Sequence, residues 1–286
     1  MKENAIRKKV AHAYTRAIKV VTPSCCGPSS CCRPDQTTIA NFGFYGTEEI
    51  KAHKEAASSS FGCGNPLAFS GVKEGEVVLD LGSGAGFDLL IAAEKVGPNG
   101  RVIGVDMTEA MIEKAKQNIK SAGVKNIEVR SGLIEKLPVE TESVDWVISN
   151  CVINLSPEKA RVFKEISRVL KPGGRMRISD IVVEKLPEEL RNHQGLYNSC
   201  VAGAVSEEEY LTGLGQAGLT EIKVEERFVY GAAQIRAIFG DSQAGLIDLF
   251  EDLPKKEREA TIDRLINDAA GKVWSAKISA QKPEQS

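Results

Sequence analysis

The chain of 286 residues predicts an α/β fold with a doubly wound sheet, on three observations. Short apolar runs over 77–81, 101–105, 126–130, 143–149 and 175–182 read as strands buried on both faces. Segments of helical periodicity, roughly 10–15 residues each, separate them and call for right-handed parallel crossovers. A glycine-rich turn, Asp80-Leu81-Gly82-Ser83-Gly84-Ala85-Gly86, joins the first strand to the first of these helices.

In chain order, a first amphipathic helix is expected over 2–21, with Ile6, Val10, Ala13 and Ala17 at helical spacing. A loop over 22–34 carries paired cysteines, and a helix begun by Thr47 follows over 48–58. Phe61-Gly62-Cys63-Gly64-Asn65-Pro66 then breaks the chain. After the 77–81 strand come a helix over 87–96 and a strand over 101–105. The next helix is capped by Thr108 and stopped by Gly123. Strands over 126–130 and 143–149 precede a helix opened by Ser156-Pro157, with proline in its first turn. Pro172-Gly173-Gly174 is expected to end that helix before the 175–182 strand. A helix is expected over 187–203, then one opened by the capping box Ser206-Glu207-Glu208-Glu209 and ending near Gly218. Strands over 221–230 and 272–280 are expected to pair antiparallel at the sheet edge, with helical sequence over 232–270 between them. Four segments follow: an N-terminal extension or lid, 1–71; a ligand-binding α/β domain, 72–185; a substrate segment, 186–230; and C-terminal helices with a final strand, 231–286.

A net charge of −2 provides no basic field for nucleic acid or an anionic membrane surface. No apolar run approaches the roughly 18 residues a spanning helix needs, and the charged first residues lead into no signal-peptide core. These features lead us to expect a cytoplasmic protein. Seven cysteines, an odd number, argue against a disulfide framework there.

The glycine turn lets a ligand approach the backbone at the carboxyl end of the first strand. A dinucleotide fingerprint would need glycine at position 87, where Phe stands, so no pyrophosphate is expected. Asp106, ending the second strand, is placed to accept both hydroxyls of a ribose. Ile134 and Glu135 follow the third strand in Gly132-Leu133-Ile134-Glu135, where Ile134 offers an apolar contact. A flavodoxin-like or NAD-binding sheet is the alternative. The combination of the loop, Asp106 and Lys171-Pro172-Gly173-Gly174 resembles the class I S-adenosylmethionine methyltransferases over 72–183. That resemblance implies S-adenosylmethionine held by Asp80, Gly82, Ser83, Gly84, Gly86, Asp106, Met107, Leu133, Ile134, Glu135 and Asn150.

The fourth strand ends in Ile148-Ser149-Asn150-Cys151-Val152-Ile153-Asn154-Leu155-Ser156, with a cysteine where a methyl group would be delivered. An inert buried thiol is the plain alternative. Cys200, in the segment after the fifth strand, and Cys63, on the extension, are two more thiols that can converge on the same cleft. Three soft thiolates suit a thiophilic centre such as trivalent arsenic. The three histidines lack zinc-ligand spacing. Phe44-Tyr45-Gly46, Gly62-Cys63-Gly64-Asn65-Pro66 and the segment from Ser149 to Ser156 are similar to those of the arsenite methyltransferases, a likeness that runs over 37–230. It implies catalysis by Cys63, Cys151 and Cys200 holding arsenic(III). It also implies a further N-terminal cysteine that pairs with Cys63 and returns the pentavalent product to the trivalent state. Arsenite or its thiol conjugates would be the substrate, and a thioredoxin- or glutathione-type reductant would reset the enzyme. The chain departs from that pattern in carrying two doublets, Cys25-Cys26 and Cys31-Cys32. Cys32, nearest Cys63, is the preferred redox partner, while a Cys₄ zinc site or an arsenic-scavenging arm are the other readings. Also open are a methyltransferase for a small organic acceptor and a non-enzymatic metalloid-binding protein. No site is inferred over 232–271.

Overall fold

Seven strands pair into one sheet: β1 (Val77–Leu81), β2 (Arg101–Asp106), β3 (Ile127–Ser131), β4 (Val144–Asn150), β5 (Leu170–Val183), β6 (Thr220–Val229) and β7 (Val273–Gln281). Their order is β3-β2-β1-β4-β5-β7-β6. The structure is a computed structural model that describes residues 2–20, 45–60, 64–69, 71–184, 201, 203–240 and 253–284. β1 through β5 run parallel, and β7 lies antiparallel between β5 and β6. The chain builds outward from β1 to β3, then crosses back to place β4 on the other side of β1. That reversal opens a crevice at the carboxyl ends of β1 and β4, where ligands bind in open α/β sheets.

The described helices are α1 (Lys2–Val20), α2 (Thr47–Ala52), α3 (Lys54–Ala57), α4 (Phe87–Val96), α5 (Glu109–Ala122), α6 (Lys159–Val169), α7 (Glu207–Gln216), α8 (Ala232–Gly240) and α9 (Lys255–Ala269). α6 buries Val162, Phe163, Ile166 and Val169, one stripe at helical spacing, against Leu79, Val147 and Ile178 of the sheet. On the opposite face Leu89, Ile91 and Ala92 of α4 and Ala115 of α5 cover Val78, Val102, Trp146 and Ile148. A third apolar cluster lies beyond the end of β5. It joins Cys151 to Ile181, Tyr230, Ile235 of α8 and Leu265, Ile266 and Ala269 of α9. The C-terminal helices thus pack against the residue that follows β4, which their charge-rich sequence does not reveal.

Most elements fall where the sequence puts them, and the differences have local causes. The helix expected over 48–58 is broken at His53, whose φ of −125° and ψ of 43° are not helical. Its cap is Gly46, not Thr47, and the Glu49 carboxylate accepts from the Gly46 N–H at 2.8 Å. α6 begins at Lys159, so Pro157 precedes it, while Ile153–Leu155 forms a short 3₁₀ turn. α6 stops at Val169, and β5 starts five residues earlier than expected, because Leu170 pairs with Val144 and the Gly173 and Gly174 peptides bond to Lys282. Ser206 caps α7 as foreseen, accepting from Glu209 N. Of the helix expected over 187–203 only residues 201 and 203 are described, and neither is helical; the doublet loop lies outside the described residues.

Candidate active site

The carboxyl ends of β1, β2, β3 and β4 border a pocket of about 940 Å³, open mouth included. Its floor is the turn after β1. Gly82 has φ +67°, and a Cβ there would lie 2.5 Å from the Val152 methyls, so only glycine lets the two loops meet. Gly84 N–H and Thr108 N–H donate to the two Asp106 oxygens at 3.0 and 2.8 Å, which fixes the carboxylate at the end of β2. Ser83 Oγ is buried on the pocket wall with no hydrogen-bond partner among the described residues.

The other wall comes from the far end of the sequence. α1 packs on α5 and contributes Arg7, Val10 and Tyr14. The Arg7 guanidinium donates to Glu135 Oε1 through Nε at 3.1 Å and Nη2 at 3.0 Å, and Nη2 also pairs with Glu158. Ser156 Oγ donates to the same Glu135 oxygen at 2.7 Å. All three charged side chains are at most 18% exposed, so the pairing is desolvated and stronger than a surface ion pair.

Cys151 follows β4, lines the pocket and is 4% exposed. Its φ of +57° is left-handed, a conformation that costs a residue with a Cβ about 1–2 kcal/mol. Bonds on each side hold it there. Its N–H donates to Ser179 O at 2.8 Å. Ahead of it, Asn150 Oδ1 accepts from Gly64 N at 3.0 Å, while Asn150 Nδ2 reaches Gly64 O at 2.5 Å, Tyr45 Oη at 2.8 Å and Asp88 Oδ2 at 3.2 Å. Behind it, Asn154 donates from N and Nδ2 to Asp180, and from Nδ2 to Ile181 O. Such strain concentrates at functional sites.

Four carboxyl groups under this end of the sheet are kept protonated to higher pH than usual. Burial pushes Asp180 up to about 7 and Asp88 up to about 6, against hydrogen bonds that pull both down. Burial raises Asp80 well above the carboxylate range, helped by the Asp88 and Asp106 charges, and raises Asp106 despite its backbone donors.

Of the residues singled out from sequence, Gly82, Ser83, Gly84, Asp106, Met107, Ile134, Glu135, Asn150 and Cys151 line this one pocket. Asp80 is buried beneath the loop, Gly86 caps α4 against Ala115, and Leu133 sits in a tight turn with Lys136. None of these three is on the pocket wall. Glu135 lines the pocket with one carboxylate oxygen engaged by Arg7 and Ser156. Cys32, Cys63 and Cys200 lie outside the described residues, and among the described residues no metal-type cluster of His, Cys, Asp and Glu occurs. Arg7, Val10, Tyr14, Thr108, Met111 and Val152 were missed. For the α1 residues the sequence signal was an amphipathic helix within an extension expected to act as a lid, with no individual side chain assigned to the site.

Sheet order, glycine turn and Asp106 together define a class I methyltransferase. The methyltransferase domain family matches residues 72–218. A crystal structure of an arsenic(III) S-adenosylmethionine methyltransferase from Chlamydomonas reinhardtii superposes with a TM-score of 0.59 at 32% identity, over 88% of this chain and 74% of that one. The arsenite methyltransferase of Halobacterium salinarum is 44% identical over 200 residues, 69% of this chain and 51% of its own length. The human arsenite methyltransferase is 40% identical over 163 residues, 54% of this chain and 43% of its own. The chain belongs to the arsenite methyltransferase family, and it spans about half the length of these curated relatives.

S-adenosylmethionine, the cofactor of this class, fits the pocket on three grounds. The Gly82–Gly84 backbone admits a close ligand, the buried Ser83 hydroxyl is left to bond one, and Asp106 faces the space with its carboxylate already oriented. The Arg7 pairing closes α1 over that space. Arg7→Met should therefore speed dissociation of S-adenosylhomocysteine by roughly fivefold or more in stopped flow; an unchanged off-rate would contradict this role of α1.

Under reducing conditions Cys151→Gly should be more stable than Cys151→Ala by about 1 kcal/mol in urea unfolding, since glycine accepts a left-handed backbone at no cost. The reverse order would show that the turn is not strained. Finally, Asp80, Asp88, Asp106 and Asp180 retain protons in the folded chain above the unfolded value near 3.8, so their contribution favours the folded state most at the low end of that window. It falls away as pH rises towards about 7. Glu128, Glu165 and Glu207 are lowered by arginine partners, so they add little slope above pH 5.5. The ligand-free protein should then unfold at higher urea at pH 5.5 than at 7.5, by about 1 kcal/mol or more.

Proposed function

We propose that this chain transfers the methyl group of S-adenosylmethionine to trivalent arsenic held by the thiolates of Cys151, Cys200 and Cys63. The observation that carries the reading is that Cys151 lines the same pocket as the Gly82–Gly84 turn and Asp106. Family membership supports the acceptor, because relatives of this chain are named for arsenite or arsenic(III) methylation.

When bound, the cofactor supplies an electrophilic methyl group on a positively charged sulfur. The chain's own contribution is placement. Asp106 and the glycine turn hold the donor, α1 excludes water from above, and the Cys151 turn presents a sulfur at the end of β4. Fixing two reactants in such an arrangement is worth up to about 7–11 kcal/mol in favourable cases. The arsenic carries a lone pair, so no general base is required and no Ser/His/Asp arrangement is expected. Transfer of the methyl to that lone pair leaves arsenic formally pentavalent, and two cysteine thiols can return two electrons by forming a disulfide. Cys63 with an N-terminal cysteine, Cys32 by preference, would do this, and a thioredoxin- or glutathione-type reductant would restore the thiols. To ligate arsenic, Cys151 must be a reduced thiolate.

The test is arsenic speciation. Wild-type protein given S-adenosylmethionine, arsenite and a thiol reductant should yield methylated arsenic, and Cys151→Ser should lower that yield by about a hundredfold or more. Unchanged arsenite from protein that still binds S-adenosylhomocysteine would sink the arsenic reading and leave the fold and cofactor site standing.

A further inference from the structure

Arg7 does more than close α1 over the cofactor pocket, because the groups it binds belong to the turn that carries Cys151. Glu135 follows β3 and Glu158 caps α6, and a single nitrogen, Arg7 Nη2, reaches both carboxylates. Ser156 lies between them. Its hydroxyl donates to Glu135 Oε1 at 2.7 Å and accepts from the Glu158 N–H at 3.1 Å. Arg7, Glu135, Ser156 and Glu158 thus form a closed ring of bonds to which α1 contributes Arg7 alone. The chain from Cys151 to Ser156 is tied back to this ring. Ser156 is buried, its N–H donates to Ile153 O at 3.0 Å, and the Leu155 N–H donates to Val152 O at 2.9 Å. Cys151, Val152, Leu155 and Ser156 all line the pocket.

Without Arg7 the ring would hold two carboxylates converging on one point, and like charges at that range disfavour each other. Arg161 does not fill the gap. It pairs with the other Glu158 oxygen, Oε1, at 2.8 Å, from a side chain that is largely exposed. The Lys159 ammonium is turned to the carbonyls of Asn154 and Ser156. We infer that Arg7 is a positioning residue for Cys151: its charge holds Glu135 and Glu158 together and, through Ser156, fixes the turn on which the thiol stands. Closure of α1 over the donor and placement of the acceptor-side sulfur are then one event. The inference rests on the reading of Cys151 as an acceptor-side ligand and deepens it. A helix that served as a cover alone would govern access to the pocket and leave the turn where it is.

The experiment uses the full reduced chain and two readouts. One is iodoacetamide labelling of Cys151 in the ligand-free protein, followed on its own peptide by mass spectrometry. The other is stopped-flow release of S-adenosylhomocysteine. Arg7→Met should raise the labelling rate by about tenfold or more, because a buried thiol reacts through local opening of its turn. Arg7→Met combined with Glu158→Gln removes the repulsion without restoring the α1 pairing. Labelling should then fall back to within about threefold of wild type, while release of S-adenosylhomocysteine stays as fast as in Arg7→Met. Labelling in the double variant as fast as in Arg7→Met would show a cover alone and overturn the positioning role. Wild-type labelling in Arg7→Met would overturn it as well. Neither readout uses arsenic, so failure of the arsenic reading shows in the speciation experiment and failure of this one shows here.

Discussion

The hydrogen bond from Cys151 N–H to the Ser179 carbonyl holds a left-handed residue at the tip of a parallel strand, and the functional end of the molecule is arranged around it. A thiol leaving β4 with ordinary extended backbone would continue along the strand direction. The reversed φ turns the chain back, so that Val152 meets Gly82 and the cysteine shares a pocket with the glycine turn. The cost of the turn is met by its surroundings. Asn150 is anchored ahead of it, Asn154 is anchored to Asp180 behind it, and the third apolar cluster buries the cysteine from the C-terminal side.

Burial shapes the electrostatics of the same region. Four aspartates sit at or below the carboxyl ends of the strands, and desolvation makes each reluctant to ionise. For Asp88 and Asp180 this is the cost of building rigid polar anchors in a dry place, where a satisfied network fixes geometry firmly and an unsatisfied one is expensive.

The strands over 77–81, 101–105 and 143–149 were legible because a strand buried on both faces must be apolar throughout, whatever its neighbours are. The start of β5 was not, since Leu170 to Gly174 join the sheet only through partners at Val144 and Lys282 that no local pattern announces. Within the site, Gly82, Ser83, Gly84 and Asp106 were readable from their positions at strand ends. Arg7 was not: its partner Glu135 is 128 residues away, and a helical stripe containing Val10 says that a face is buried without saying against what. Asn150 was legible as a strand-end amide, but its bonds to Gly64 and Asp88 were not, because an amide there suits a ligand and a backbone equally well.

The central claim is that the cysteine at the end of β4 is a ligand for the arsenic that receives the methyl group. X-ray absorption at the arsenic edge tests it most directly, on reduced protein loaded with arsenite. A first shell of sulfur, one atom from each of Cys63, Cys151 and Cys200, is the expected result, with one sulfur replaced by oxygen in Cys151→Ser. A first shell of oxygen in the wild type, or a sulfur shell unchanged by Cys151→Ser, would contradict it.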